Sequence, residues 1–279
     1  MWLIKTKKRI ALLILLLILI ILLIRHIYCV NTVFYGVEYN KTDISDIIKK
    51  DNITGEDYEL IYKSTGVSPG AAKQIIKDKN YLLLEKLNDL YFDTPPTEKN
   101  YIAFPVTAQE NIVGDTIPLV PLEKGDILIT FNTHTLDWRH GHCGLVLSSD
   151  YDTLLEHSSI GNTSVINSAS RWGRYPGFLV LRYKNSKIAE KAADYAKENL
   201  VDIDYSVFAG ITDKDMSDNK DIDSHCSHIV WQAYKAVGAD IDYDGGILVT
   251  PNDIAMCDDL YIVQIYGINP EDYSGRVLR

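Results

Sequence analysis

Fifteen consecutive apolar residues, Ile10 to Ile24, nearly all leucine and isoleucine, stand between Lys7-Lys8-Arg9 and Arg25. Such a run has no polar face, so it cannot lie on the surface of a globular core as an amphipathic helix does. At about 1.5 Å per residue it makes roughly 22 Å of helix, short of the roughly 30 Å hydrocarbon core of a bilayer. The residues that follow, Arg25-His26-Ile27-Tyr28-Cys29-Val30, are bulky where a signal peptidase requires small ones. If Arg25 snorkels its guanidinium to the interface, the helix continues to Val30 and gains the missing length. The sequence therefore predicts an uncleaved signal anchor over residues 1–30 that meets the membrane through residues 10–30. The basic tip would be cytoplasmic and the rest of a single-pass cell-membrane protein extracytoplasmic.

Residues 1 to 25 carry five basic side chains and no acids, which leaves 23 basic against 38 acidic residues in the remainder. An acidic body without a basic stripe repels phosphate backbones, so nucleic acid is excluded as a partner. Beyond residue 30, Cys143, Cys226 and Cys257 are an odd number, so a disulfide framework cannot use all of them and at least one thiol is free.

Residues 31–120 read as a stalk over 31–42, a small helical subdomain over 43–93, and a linker. Thr54 with Asp57, and Ser68 with Pro69, have the residue types and spacing of helix starts. Thr94-Pro95-Pro96-Thr97 stops the helical pattern by removing backbone donors. From residue 121 the pattern turns to short β-rich runs at 126–131, 143–147, 153–156 and 177–182, with Ser148 to Asp152 as a hairpin turn. Ser186 caps a predicted helix, and Ser224 caps another over 225–237 closed by Gly238. Strands and helices without a repeated βαβ period predict an α+β domain over 121–279 with an antiparallel sheet. The acidic run Asp213 to Asp223 reads as a solvated loop near the mouth of the site.

Two clusters concentrate the reactive side chains: His140-Gly141-His142-Cys143 and Ser224-His225-Cys226-Ser227-His228. Cys226 falls in the first turn of a predicted helix, where unpaired N–H groups favour a thiolate. An imidazole beside it and a third group fixing that imidazole make the arrangement of a Cys-His hydrolase. His142 is the candidate base, and the orienting group depends on hairpin register. If Ser148 pairs with Asp152, Glu156 faces as His142 does; if Ser148 pairs with Thr153, His157 takes that place. The competing readings are a tetrahedral zinc site from His140, His142, His225, Cys226 and His228, and a domain that only binds a partner.

Several segments together resemble the circularly permuted papain-like hydrolases, the YiiX-type branch of the NlpC superfamily of cell-wall hydrolases. They are Gly125-Asp126-Ile127-Leu128, Gly141-His142-Cys143-Gly144, Leu155-Glu156, Trp172 with Arg174-Tyr175, Asp204-Tyr205, Cys226-Ser227-His228-Ile229-Val230-Trp231 with Tyr234, and Pro251 with Asp253. The resemblance covers about residues 121 to 255. It implies Cys226 as nucleophile, His142 as base and Glu156 as orienting residue, a permuted papain-like sheet with packed helices, and no cofactor. His228, where the family commonly has an acidic or other polar residue, and Cys143, directly after the base, depart from the pattern. The activity implied is amide cleavage, with peptidoglycan stem peptides as first substrate and a lipid amide or ester, or acyl transfer, as the alternative.

Overall fold

Four strand segments of the second half are apolar at nearly every position, and the architecture explains why. In the computed structural model, which describes residues 2–31, 39–93, 95–104, 106–136, 138–210, 223–268 and 270 without the side chains of 2–6 and 24–31, these strands are the centre of a sheet covered on both faces. In chain order come α1 (Trp2–Asn31), α2 (Gly55–Thr65), α3 (Pro69–Lys77), α4 (Tyr81–Phe92), β1 (Thr97–Ala103), β2 (Thr107–Ile112), β3 (Ile127–Thr130), β4 (Thr133–Thr135), β5 (Trp138–Arg139), β6 (His142–Ser148), β7 (Thr153–Glu156) and β8 (Val165–Ser168). β9 (Phe178–Tyr183), α5 (Ser186–Asn199), α6 (Cys226–Ala236), α7 (Pro251–Ala255) and β10 (Leu260–Tyr266) complete the described elements. The larger sheet has the order β10-β9-β3-β6-β7-β8 and the smaller β1-β2-β4-β5. Every pairing between strands is antiparallel. The α+β class is therefore as expected, but with two sheets rather than one.

Successive residues of a strand point to opposite faces. Ile127, Ile129, Leu145, Leu179 and Leu181 pack against the alanine stripe of α5 and against Ile229, Val230 and Ala233 of α6. Leu128, Val146, Leu154 and Val180 face the other way, into a core with Ile61, Ile75, Leu84 and Leu87 of the N-terminal helices. The helical segment thus shares a core with the sheet. Thr54 and Ser68 cap α2 and α3 as expected, Thr54 through a complete capping box with Asp57. Gly125 has φ +90°, and a Cβ there would meet the Ala189 carbonyl at 2.5 Å, so only glycine lets β3 begin this close to α5.

The N-terminal expectation requires correction. α1 forms over the apolar run, but among the described residues no helix is long and apolar enough to cross a membrane. The uninterrupted apolar stretch is only the fifteen residues 10–24, about 22 Å against roughly 30 Å. The transmembrane helix and the single-pass cell-membrane location are not supported. Residues 32–38 of the expected stalk and 213–222 of the acidic run lie outside the described residues.

Sequence reading also left out six strands. β1 (TEKNYIA) and β2 lie within the stretch read as linker; β1 is exposed over most of its length and lacks the apolar alternation that marks a half-buried strand. β4, β5 and β8 are two to four residues long, too short for a periodic signal. At two helix starts the cap is one residue away from the expected one. Asn185 caps α5 in place of Ser186, and His225 caps α6 in place of Ser224.

Candidate functional site

The hairpin register that sequence left open is resolved by a bulge. Ser148 pairs with Thr153, which by itself would swing Glu156 to the wrong face. The register shifts between Val146 and Ser148, and Gly144 pairs with Glu156. One extra residue in the bulge thus returns Glu156 to the face that His142 shares with Gly144. Glu156 Oε2 lies 3.0 Å from His142 Nε2. His157, one residue on, points away: it is fully buried, meets the Tyr205 ring edge-on at 4.8 Å and directs Nε2 to the Asn162 carbonyl at 3.3 Å.

Cys226 arrives from the opposite layer. Ser224 is bridged to Tyr205 in parallel and its N–H donates to the Asp204 carbonyl at 2.9 Å, which holds the chain extended up to the start of α6. His225, the N-cap, then turns its ring back over the helix, with Nδ1 3.4 Å from the N–H of His228. Cys226 is the first residue of α6 and 7% exposed, and its thiol lies within the influence of His142 and His225, both of which lower it. Nε2 of His142 is engaged by Glu156, which leaves Nδ1 as the free ring nitrogen for proton exchange with a thiol. The order Cys226, His142, Glu156 is the nucleophile, base and orienter arrangement expected from sequence.

The electrostatics follow from these contacts. Burial opposes ionisation of Cys226, yet hydrogen bonds and charge from His142 and His225 bring the thiol well below its ordinary value. Burial likewise disfavours a charge on His142, but hydrogen bonds to Cys226 and Glu156 override it and push the imidazole up to about 10. Glu156 is raised by burial but held below the usual carboxylate range by the His142 hydrogen bond, by that ring's charge and by the Asn167 amide. All three directions favour the thiolate–imidazolium pair beside an ionised carboxylate. Since the folded His142 value is raised, its contribution to stability is full below an unfolded value near 6.5 and is lost as pH rises through about 10. The Cys226 contribution has the opposite sign and is lost as pH falls through its lowered value. Thermal unfolding is therefore expected to show a stability decline toward pH 10 that the His142→Ala variant lacks.

Trp172 completes the site from the segment between β8 and β9. Its indole stacks on the His142 ring at 5.3 Å and 14° between planes, shielding the imidazole from water on that side. Gly144 makes room for it, since a Cβ there would meet Leu154 at 2.6 Å and the Trp172 ring at 2.9 Å. Gly144→Ala is expected to cost about 1–3 kcal/mol by overpacking and to slow turnover by tilting Trp172 off His142. Urea denaturation and steady-state rates measure the two effects.

The remaining candidates are placed elsewhere. Nδ1–H of His140 donates to the Gly141 carbonyl at 2.7 Å, and its Nε2 accepts from Thr135 at 3.0 Å, so His140 and His142 serve different partners. His228 is buried with Nδ1 3.0 Å from Ser224 Oγ and stacks on Trp231. Among the described residues, the one group of three ligating side chains close enough to share an ion is Asp242, Asp244 and Asp253. It contains neither Cys226 nor any histidine, so the zinc reading finds no assembled ligand set. Cys143 is fully buried and its thiol is raised well above the ordinary value, by burial first and the Cys226 charge second. Asn167 and the stacking of Trp172 on His142 had no role assigned from sequence, and His225 was considered only as a metal ligand. Asn167 and Trp172 lie far from His142 along the chain, and only the sheet brings them together.

No family model, curated protein or solved structure matches this chain.

Proposed function

We propose that the chain is a cysteine-dependent hydrolase of amide bonds. The observation that carries the reading is the buried His142–Glu156 pair, with Nε2 3.0 Å from Oε2, set against a Cys226 thiol at the start of α6 that His142 lowers. A thiolate held by a buried imidazolium is the ground state of a thiol nucleophile. The Cys226 sulfur would attack the carbonyl carbon, and the oxyanion would be held by backbone N–H groups at the first turn of α6. The C–N bond breaks as His142 gives its proton to the departing amine. Water then adds to the thioester with His142 taking its proton, and the acid is released as the thiolate re-forms. Each step uses side chains of the site itself.

The order His142, Glu156, Cys226 along the chain resembles that of the permuted papain-like hydrolases, and on that resemblance alone the first substrate to try is a peptide stem of peptidoglycan. Incubation with muropeptides and with an activated acyl ester, followed by intact mass, tests the reading. An acyl group on Cys226 and release of amine from the peptide are expected. An unmodified Cys226 under both substrates, in protein shown to be folded, overturns it.

A further inference from the structure

We propose that Asn167 is a positioning residue of the catalytic line, fixing Glu156 as Glu156 fixes His142; this rests on the hydrolase reading above. β7 and β8 are antiparallel, with Glu156 opposite Val165 and Leu154 opposite Asn167. Opposed residues share a face, so Asn167 is the diagonal neighbour of Glu156 on the side where His142 lies. Its Nδ2–H donates to Glu156 Oε1 at 2.6 Å, while Oε2 faces His142 Nε2 at 3.0 Å.

The terminal torsion of a glutamate is broad and has no sharp well of its own. A carboxylate held by one donor alone swings about that bond and presents either oxygen. Held at both oxygens, it presents Oε2 to the imidazole continuously. The amide also matters electrostatically, because Glu156 is buried and depends on its donors to stay ionised. The other groups facing it are His142 from β6, and Arg171 and Tyr175 from the segment before β9; Arg171 favours the charged carboxylate, whereas Tyr175 is neutral over the working range. With Asn167 removed, Glu156 takes up a proton at higher pH. The neutral carboxyl no longer supports the imidazolium, and the Cys226 thiolate is lost earlier on acidification. The predicted change is thus confined to the acid side of the profile.

The test is the rate of iodoacetamide alkylation of Cys226, followed by peptide mass from pH 4 to 9, in the full chain and in Asn167→Asp, Asn167→Ala and Asn167→Gln. Thermal melts of each accompany the rates. Asn167→Asp keeps the shape, removes both donors and adds a like charge. Its acid limb is expected to move up by about one pH unit, a roughly tenfold loss of rate below the limb, with rates at pH 8 within about twofold of the parent. Asn167→Ala moves in the same direction, and Asn167→Gln, which retains a donor, lies closer to the parent. Coincident limbs in all folded variants, with a lowered melting temperature only, would make Asn167 a structural cross-strand contact and overturn the inference while leaving the hydrolase reading intact. A parent that reacts only as an ordinary thiol overturns both.

Discussion

Cys226→Ala is expected to abolish turnover, by about six orders of magnitude if the chain behaves as other triad hydrolases do on loss of the nucleophile, and to leave the protein folded. The side chain is small, lies at the first turn of α6 and is 7% exposed, so little packing is lost with it. The core contacts of α6 are made further along by Ile229, Val230, Trp231 and Ala233. Replacement by serine discriminates further. A hydroxyl in the same place is not ionised by a neighbouring imidazolium, so Cys226→Ser is expected to be nearly as inactive as Cys226→Ala. Turnover of the scissile amide at the wild-type rate in either variant would remove Cys226 from the chemistry.

His142→Ala has the second largest expected effect, a loss of about 10²- to 10⁴-fold in kcat/KM, the range for a positioned general acid and base. Two separate contributions disappear together: the charge and hydrogen bond that hold the Cys226 thiol low, and the proton donor for the leaving amine. The second is specific to poor leaving groups. An activated ester, whose leaving group departs without a proton, is therefore expected to suffer less than an amide. Steady-state rates on the two substrates side by side measure this, and equal losses would assign His142 to thiolate formation alone. His225, which also lowers the thiol, is expected to leave some acidification in the variant.

Cys226 and His142 were legible as candidates in the sequence for physical reasons. Cys226 lies at a helix start and His142 opens an apolar strand, and both signals are local. Glu156 was legible only up to a parity, because a strand reverses its faces with each residue. The bulge between Val146 and Ser148, which no residue pattern marks, decided it. Asn167 and Trp172 act across strands and layers, at distances that periodicity does not encode. The smaller sheet was hidden by strands too short or too exposed to alternate. The N-terminal run misled in the other direction. Its composition is that of an anchor, yet its fifteen uninterrupted apolar residues fall short of a bilayer.

The measurement that bears most directly on the thiolate–imidazolium–carboxylate line is the pH dependence of alkylation at Cys226 in the intact chain, with Cys226→Ala as background. Cys143 and Cys257 are both raised above the ordinary thiol value, chiefly by burial, and labelling at Cys29 is subtracted with the Cys226→Ala background. Fast labelling well below pH 7, falling only when the line is acidified, is the predicted result. A single rise centred near 8.5, the value of an unperturbed thiol, would contradict it.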